Sequence, residues 1–250
     1  MPNAVLTVPK LIAHRGASAD APENTLAAFR LAKEQGASWL EFDAMISADE
    51  MVLLHHDDSL ARCAGLDVIV SDTPYARIAG LDAGGWFAPA YRGEAVPTLK
   101  QAMALMAELG LGANVEIKPC EGFEERTAEV VAGLIASDWP AALPPPVISS
   151  FSMEALATAR PLLPVAAEIA PLFEAIPEEW EAIAAGLSAT AIHTSHKTLT
   201  PEQAKAIRAK GFSLRCYTVN DPARAAELFG WGVTSVFTDK PGVMAKALGL

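Results

Sequence analysis

The feature that most limits the possible folds of this chain is a regular alternation of short apolar segments with longer segments of helical periodicity. Each apolar segment has the length of a buried strand, and the segment after it carries apolar residues at helical spacing. Eight such strand–helix units in 250 residues favour an α/β fold, a closed (β/α)8 TIM barrel, over an open doubly wound sheet. The predicted strands are residues 11–15, 39–45, 114–119, 146–151, 165–169, 190–194, 212–219 and 235–239.

One segment interrupts the alternation after the second predicted strand. Residues 51–57 are extended but follow a short turn, so we expect them to form a hairpin-like extension of that strand. Residues 58–95 contain scattered glycines, prolines and aromatic residues, and we predict a small insertion that covers a mouth of the barrel. The sequence shows no internal repeat, low-complexity tract or linker, so residues 1–250 are predicted to form a single domain.

The charge of the chain restricts its partners. Its formal net charge of −11 argues against nucleic acid and anionic membranes, since both bind basic surfaces. No apolar run approaches the roughly 18 residues of a membrane span, and no basic-then-apolar leader precedes the first strand, so membrane insertion is not expected. Together with an odd number of widely spaced cysteines, these features predict a cytoplasmic protein. The oligomeric state stays open.

Charged side chains lie at or near the ends of several predicted strands. In a barrel the carboxyl ends of the strands open on one rim, so these side chains are expected to converge there. Glu41 and Asp43 are two residues apart and therefore face the same side of their strand. Burying such charges unpaired would cost several kcal/mol each, so they must bind one another or a ligand. The set is His14, Arg15, Glu41, Asp43, His56, Glu116 and Lys118.

The types of these residues indicate the chemistry. Three carboxylates from two strands suit a hard divalent cation such as Mg2+ or Ca2+, and two histidines can form a proton-transfer pair near neutral pH. Arg15 and Lys118 supply fixed positive charge for an oxyanion, with phosphate the best match. The combination indicates phosphodiester cleavage of a small-molecule substrate rather than acyl or hydride transfer. The sequence also lacks a Gly-rich dinucleotide loop, a P-loop and a Gly-x-Ser-x-Gly elbow.

A series of ordered motifs over residues 11–242 resembles the glycerophosphodiester phosphodiesterases. The resemblance implies a TIM barrel, a divalent metal, and hydrolysis of glycerophosphocholine, glycerophosphoethanolamine and similar diesters to sn-glycerol 3-phosphate and an alcohol. Residues 193–197 and Tyr217 are most similar to the cytosolic bacterial branch. The motifs are His14-Arg15-Gly16, Pro22-Glu23-Asn24-Thr25, Glu41-Phe42-Asp43, His56-Asp57-Asp58-Ser59-Leu60, Leu81-Asp82, Trp86-Phe87, Pro97-Thr98-Leu99, Glu116-Ile117-Lys118, Ser149-Ser150-Phe151, Tyr217-Thr218-Val219-Asn220 and Thr238-Asp239.

The resemblance also implies roles for individual residues. His14 and His56 match the acid–base histidines of the family, which selects His56 over the neighbouring His55. Arg15 and Lys118 match its phosphate-binding cations. A further hypothesis is that the glycerol hydroxyl beside the ester attacks first, giving a cyclic phosphate that water then opens. The metal carboxylates of the family match Glu41, Asp43 and Glu116.

Several other residues keep alternative interpretations. Phe151 and Trp86 either pack near the mouth of the barrel or line the pocket for the alcohol. Glu168, expected at the end of the fifth strand, either contacts a cationic head group or forms an ordinary ion pair. Asp57 supports the metal, orients His56 or is structural. Asp239 is expected to cap a helix or to pack. His193 and His196 are either structural or rim residues or contact the variable end of the substrate.

Two other functions remain open from the sequence. A sphingomyelinase-D-like lyase on the same fold would act on membrane lipids and stop at the cyclic product, but the net charge of the chain opposes binding to anionic membranes. A non-catalytic metabolite-binding barrel would not need a pair of histidines, because a binder transfers no proton. The metal-dependent hydrolase is therefore the favoured function.

Overall fold

The computed structural model of the protein describes residues 6–250. Strands and helices alternate through this range, and both are numbered here in chain order. The strands are β1 Leu11–His14, β2 Trp39–Ile46, β3 Val52–Leu54, β4 Gly112–Ile117, β5 Val147–Ser150, β6 Glu168–Phe173, β7 Ala191–Ser195, β8 Ser213–Tyr217 and β9 Ser235–Thr238.

The sheet closes into a barrel because its first and last strands pair. β1 is parallel to β9 on one side and to β2 on the other. The remaining neighbours around the barrel are also parallel, whereas β3 is antiparallel to β2, with Leu54 opposite Ala44. The predicted (β/α)8 barrel is therefore confirmed, and so is the hairpin-like extension of the second strand.

Several helices begin or end where the sequence carries a local signal. Thr98 and Thr200 each accept a backbone hydrogen bond from a glutamine three residues later, whose side chain accepts one in return, so both form capping boxes. Gly110 adopts the left-handed region at φ 65° and ends the helix that Thr98 begins. The helices are α1 Leu26–Glu34, α2 Ala61–Ala64, α3 Tyr75–Ile78, α4 Leu99–Leu109, α5 Glu124–Asp138, α6 Met153–Ala159, α7 Trp180–Gly186, α8 Pro201–Ala209, α9 Pro222–Gly230 and α10 Pro241–Leu248, with a 3-10 turn at Pro89–Tyr91.

The main core lies between the barrel strands and the surrounding helices. Phe29 of α1 packs against Phe42 of β2, with ring centroids 5.5 Å apart. Ala28 and Ala32 are buried on the same side of α1. β2 is buried at every residue, as expected for a parallel strand covered on both faces.

Inside the barrel, the lower part is mainly apolar apart from a buried ion pair between Glu168 and Arg215, and the upper part is polar. Alternate residues of a strand share a face, so Ile12 lies below His14 on the inner side of β1. Trp39 fills much of the lower part, and a Cβ atom on Gly112 would lie only 2.4 Å from its Cε2, so glycine is needed there. This plug closes the barrel from below, so a ligand reaches the charged residues from the rim. It consists of Ile12, Trp39, Val147, Ala170, Ala191 and Phe237.

The predicted insertion is a separate layer of short elements on β2 and β3. It contains α2, α3 and the 3-10 turn. Its apolar residues Leu60, Val70 and Ile78 pack with Met45 and Leu53 of the β2–β3 hairpin. Among residues 6–250, every helix is too short or too polar to cross a membrane.

The prediction for the fifth barrel strand is wrong. The sequence indicated residues 165–169, whereas β6 runs from Glu168 to Phe173. Ala167 donates its N–H to the carbonyl of Pro164, so the predicted start is a turn. Pro171 lies within the strand despite its missing N–H, which sequence reasoning treats as a sign against a central strand. Glu168 therefore begins the strand and lies at the end of the barrel opposite the rim.

Candidate active site

A cavity of about 260 Å³ opens at the carboxyl ends of the barrel strands. Six of the seven charged residues singled out in the sequence line it, and the seventh, Asp43, lies beside Glu41 and Glu116. Closure of the barrel thus brings together side chains that are far apart along the chain. The six are His14, Arg15, Glu41, His56, Glu116 and Lys118.

Glu41, Asp43 and Glu116 form a compact carboxylate cluster. Asp43 of β2 is the register partner of Glu116 of β4, and Glu41 lies two residues earlier on the same face. One oxygen from each residue lies within 4.8 Å of the others. Burial and the carboxylate of Asp43 raise the pKa of Glu116 to about 8, and the same two causes raise the pKa of Glu41 well above its usual value. This crowded all-oxygen set fits a hard divalent cation, which would relieve the repulsion.

The loop after β1 holds the cluster from one side. Arg15 donates its backbone N–H to Glu41 Oε2 at 3.0 Å, and its Nε lies 3.2 Å from Asp43 Oδ2. Asn24 donates Nδ2 to the same Asp43 oxygen at 2.8 Å and accepts the Asp43 backbone N–H at 3.2 Å. Arg15 and Asn24 both have left-handed backbone, at φ 54° and 56°. Such strain in non-glycine residues is typical of functional sites.

His14 is held by a carboxylate from the last strand of the barrel. Its Nδ1 lies 2.7 Å from Asp239 Oδ1, and its Nε2 lies 3.9 Å from Glu41 Oε2. Although burial opposes ionisation, the hydrogen bond from His14 lowers the pKa of Asp239 to about 2. Ser18 and Asn220 also donate to Asp239, at 3.0 and 2.6 Å. The expected capping or packing role of Asp239 is therefore wrong, because its side chain orients His14.

His56 has the same kind of partner. Its Nδ1 lies 2.7 Å from Asp57 Oδ1, so of the roles left open for Asp57, the geometry fits the orientation of His56. Burial lowers the pKa of His56, and its Nε2 lies 3.4 Å from Lys118 Nζ. His55 instead packs away from the cavity, with its Nε2 3.0 Å from the carbonyl oxygen of Ser59. His14 and His56 thus each have Nδ1 held by a carboxylate, which leaves Nε2 as the nitrogen able to transfer a proton.

Arg62, a residue that sequence reasoning missed, connects the insertion to this site. Its guanidinium donates to Asp57 at 2.6 and 2.9 Å and to Glu23 at 2.7 and 2.9 Å. Glu23 in turn accepts from Arg15 Nη1 at 2.8 Å. Burial opposes ionisation of Glu23, but the hydrogen bond from Arg62 and the charge of Arg15 lower its pKa to about 2. Arg62 itself lies in a segment of weak periodicity, so only its partners Glu23 and Asp57, both motif residues, could have pointed to this network.

The two aromatic residues considered for the alcohol pocket have different positions. Phe151 lines the cavity, is 41% exposed, and meets Tyr217 edge to face with centroids 5.7 Å apart. Trp86 lies outside the cavity lining, with the Arg62 guanidinium 5.8 Å from its ring centroid. Of the two roles left open for Trp86, its position beside Arg62 fits packing near the mouth rather than a place in the pocket lining.

Glu168 is also absent from the cavity lining, which is a consequence of the strand error. It forms a buried ion pair with Arg215 inside the barrel, below the rim. Of the two roles left open for Glu168, the structure fits the ordinary ion pair and not the contact with a head group. The carboxylate that follows β6 at the rim and lines the cavity is Glu174. The sequence did not single out Glu174 because the predicted strand, residues 165–169, ends before β6 does.

A TIM barrel whose rim carries a carboxylate cluster, two cations and two carboxylate-bound histidines has the features of a phosphodiester hydrolase. The chain matches the model of the Glycerophosphoryl diester phosphodiesterase family over residues 14–243. The protein belongs to that family, as its motifs indicated.

Individual relatives agree with this classification. A glycerophosphodiester phosphodiesterase of Bacillus subtilis (strain 168) is 32% identical over 98% of this chain and 87% of its own length. The solved structure of an Oleispira antarctica phosphodiesterase in complex with the product sn-glycerol-3-phosphate is 37% identical, with a TM-score of 0.93 over 97% of this chain and 98% of that one. The glycerophosphodiester phosphodiesterase of Agrobacterium tumefaciens str. C58 is 28% identical, with a TM-score of 0.77 over 96% and 100% of the two chains.

Proposed function

We propose that the protein hydrolyses glycerophosphodiesters, such as glycerophosphocholine and glycerophosphoethanolamine, to sn-glycerol 3-phosphate and an alcohol. The observation that carries the proposal is the pair of histidines, His14 and His56, both with Nδ1 bound to a carboxylate and both lining the cavity beside the carboxylate cluster. The Oleispira relative, whose solved structure contains sn-glycerol-3-phosphate, supports this substrate class.

Glu41, Asp43 and Glu116 would hold a divalent cation, Mg2+ or Ca2+. When bound, such a cation supplies positive charge to a phosphoryl oxygen and stabilises the charge that grows in the transition state. Arg15 and Lys118, both in the cavity lining, would hold the other phosphoryl oxygens. Glu23 holds the guanidinium group of Arg15, and Glu116 holds the ammonium group of Lys118. Both cations are therefore positioned before the substrate arrives.

The two histidines would divide the proton transfers. One would take the proton of the nucleophile and the other would protonate the departing alkoxide, each through Nε2. Asp239 and Asp57 would keep the hydrogen on Nδ1 and the ring in place. The hydroxyl of glycerol beside the ester remains our proposed first nucleophile, with a cyclic phosphate as the intermediate that water opens.

The test is a coupled assay for sn-glycerol 3-phosphate, using glycerophosphocholine, glycerophosphoethanolamine and glycerophosphoglycerol with and without chelator. We expect release from at least one diester, loss of activity in chelator, and recovery with Mg2+ or Ca2+. His56→Ala should lower kcat by about 100-fold or more, as expected on removing an acid–base group. His55→Ala is the matched control, since His55 lies outside the cavity lining. Unchanged turnover in His56→Ala, or full activity in chelator, would contradict the corresponding role.

We also propose that residues 1–250 act as one catalytic domain in the cytoplasm. The shared packing of the insertion with Met45 and Leu53 supports one domain. All three cysteines, Cys63, Cys120 and Cys216, are unpaired and buried, which suits a reducing compartment. Limited proteolysis would test whether residues 1–250 form one domain, because an insertion that forms an independent unit would be released as a stable fragment.

A further inference from the structure

The deep end of the cavity is formed by buried polar side chains that the proposed reaction does not use. Asn114 lies two residues before Glu116 on the inner face of β4, and His193 and Ser149 come from β7 and β5. All three residues line the cavity and are fully or almost fully buried. A polar layer at this depth is unusual in a barrel interior, which apolar residues normally fill.

The hydrogen-bond pattern determines which nitrogen of His193 carries the hydrogen. Arg215 is held by Glu168 in a buried ion pair, and its Nη1 lies 3.1 Å from His193 Nε2. A guanidinium has only donors, so Nε2 must accept, and the hydrogen of the neutral ring is on Nδ1. Burial and the charge of Arg215 lower the pKa of His193 well below its usual value, which keeps the ring neutral. This Nδ1–H has no acceptor among residues 6–250.

Asn114 supplies the complementary group. It donates Nδ2 to Ser149 Oγ at 2.9 Å. Its Oδ1 is buried and accepts no hydrogen bond from the part of the chain that the structure describes. The deep end of the cavity therefore holds one unused donor and one unused acceptor, both uncharged. Leaving each unpaired costs roughly 1–3 kcal/mol, so a bound group that satisfies both would gain substantially.

We propose that Asn114 and His193 bind the terminal hydroxyl of the glycerol unit, so that the site selects diesters of unsubstituted glycerol. The inference rests on the proposed function and deepens its substrate class. A hydroxyl both donates and accepts, and it is neutral, so it matches the unused pair. With the phosphate held at the rim by Arg15 and Lys118, one substituent of phosphorus extends into the barrel and the other toward solvent past Phe151.

The same geometry opposes an acyl group on that hydroxyl. An ester oxygen has no hydrogen to donate to Asn114, and the acyl chain would need space below the polar layer. That space is filled by Ile12, Trp39 and Phe237. Lysophospholipids should therefore be poor substrates, in contrast to fully deacylated diesters.

The test compares kcat/KM for glycerophosphocholine with kcat/KM for the analogue in which hydrogen replaces the terminal hydroxyl. The analogue keeps the hydroxyl beside the ester, so the chemistry is unchanged and only the proposed contact is lost. We expect the wild-type enzyme to prefer glycerophosphocholine by about 10- to 100-fold, the contribution of one or two hydrogen bonds. In Asn114→Ala and His193→Phe, the preference should fall to within about threefold of unity, because the partners of the hydroxyl are gone.

Thr194→Val is the matched control. Thr194 follows His193 on β7, is equally buried, and its Oγ1 is also unpaired within residues 6–250, but it lies outside the cavity lining. This variant should keep the wild-type preference.

Each outcome is decisive. If the wild type cleaves both diesters equally, or if the variants keep its preference, the deep pair holds only a buried water and the inference is overturned, while the proposed function stands. The comparison uses a glycerophosphodiester that the wild type cleaves in the coupled assay, and if it cleaves none of the three, the proposed function itself fails. The wild-type comparison does not depend on the variants, so it stands even where a buried substitution prevents folding.

Discussion

At the scale of single residues, each of the two site histidines is held by an aspartate. His14 and His56 come from different parts of the barrel, yet each places Nδ1 2.7 Å from an aspartate oxygen. Asp57 is next to its histidine in sequence, whereas Asp239 is 225 residues from His14. A carboxylate on Nδ1 selects the tautomer and fixes the ring, so the aspartates are positioning residues rather than proton donors.

Asp239→Asn should lower kcat about 100-fold or more with little change in KM. The amide can donate to Nδ1 and hold the opposite tautomer of His14, which removes Nε2 as an effective acid–base group. Steady-state kinetics on glycerophosphocholine would measure the change. Ser18→Ala is the control, since Ser18 also hydrogen-bonds Asp239 at 3.0 Å, and its hydrogen bond to His14 is to the backbone carbonyl oxygen rather than to the ring. Wild-type kcat in Asp239→Asn would show that His14 needs no carboxylate partner.

At the scale of elements, the insertion contributes to the site through one side chain. Arg62 of α2 binds Asp57, the partner of His56, and Glu23, the partner of Arg15. It therefore connects a surface layer to both His56 and Arg15, the proposed phosphate-binding cation. Its place in a segment of weak periodicity explains why the sequence did not reveal it.

Replacing Arg62 by alanine should lower kcat by roughly 10-fold, because Asp57 and Glu23 lose the partner that fixes them. Arg62→Lys should recover only part of the activity, since an ammonium group cannot reproduce the two-sided bidentate contact. Arg77→Ala, an exposed arginine of α3 in the same insertion, is the control. Equal kinetics of the Arg62 and Arg77 variants would mean that the network does not position the site.

The β4 strand needs a residue without a side chain at Gly112, and a measurement of stability can test this requirement. Gly112→Ala places a Cβ atom 2.4 Å from Trp39 Cε2, so the apolar plug must shift. We expect a loss of about 1–3 kcal/mol in the free energy of unfolding, measured in urea, as for other overpacked cores. Gly133→Ala in α5 meets nothing within 4 Å and should be neutral or slightly stabilising. A neutral Gly112→Ala would show that the plug adapts.

At the scale of the whole molecule, the carboxylate cluster links stability to pH and cation binding. Glu116 has a folded-state pKa of about 8 against a usual value of 4.5, so the folded protein without a cation retains a proton that the unfolded chain has lost. The contribution of Glu116 to the free energy of unfolding is complete below its unfolded-state pKa of 4.5, and it is lost progressively as the pH rises toward its folded-state pKa of about 8.

In chelator, the free energy of unfolding should fall between pH 6.5 and 8, and it should fall less in Glu116→Gln. Added Mg2+ or Ca2+ should reduce the fall in the wild type, because cation binding stabilises the ionised cluster. Thermal or urea unfolding at each pH would measure this. A wild-type profile that matches Glu116→Gln in chelator would contradict the raised pKa.

The sequence by itself determined the helix caps, the alternation that makes the barrel, and the seven charged residues of the site. These features act over a few residues: Thr98 caps its own helix, and Glu41 and Asp43 share a face because strand residues alternate. The sequence also predicted that the seven charged side chains converge, because all parallel strands of a barrel end at one rim.

Only the tertiary structure decided the contacts that depend on closure and on strand register. Asp239 meets His14 because β9 pairs with β1. Glu168 pairs with Arg215 below the rim because β6 begins at Glu168 rather than ending there. A hydrophobic pattern defines the two faces of a strand but not the residue at which the strand starts. Because the predicted strand was displaced by a few residues, Glu168 was expected at the rim, where the structure has Glu174.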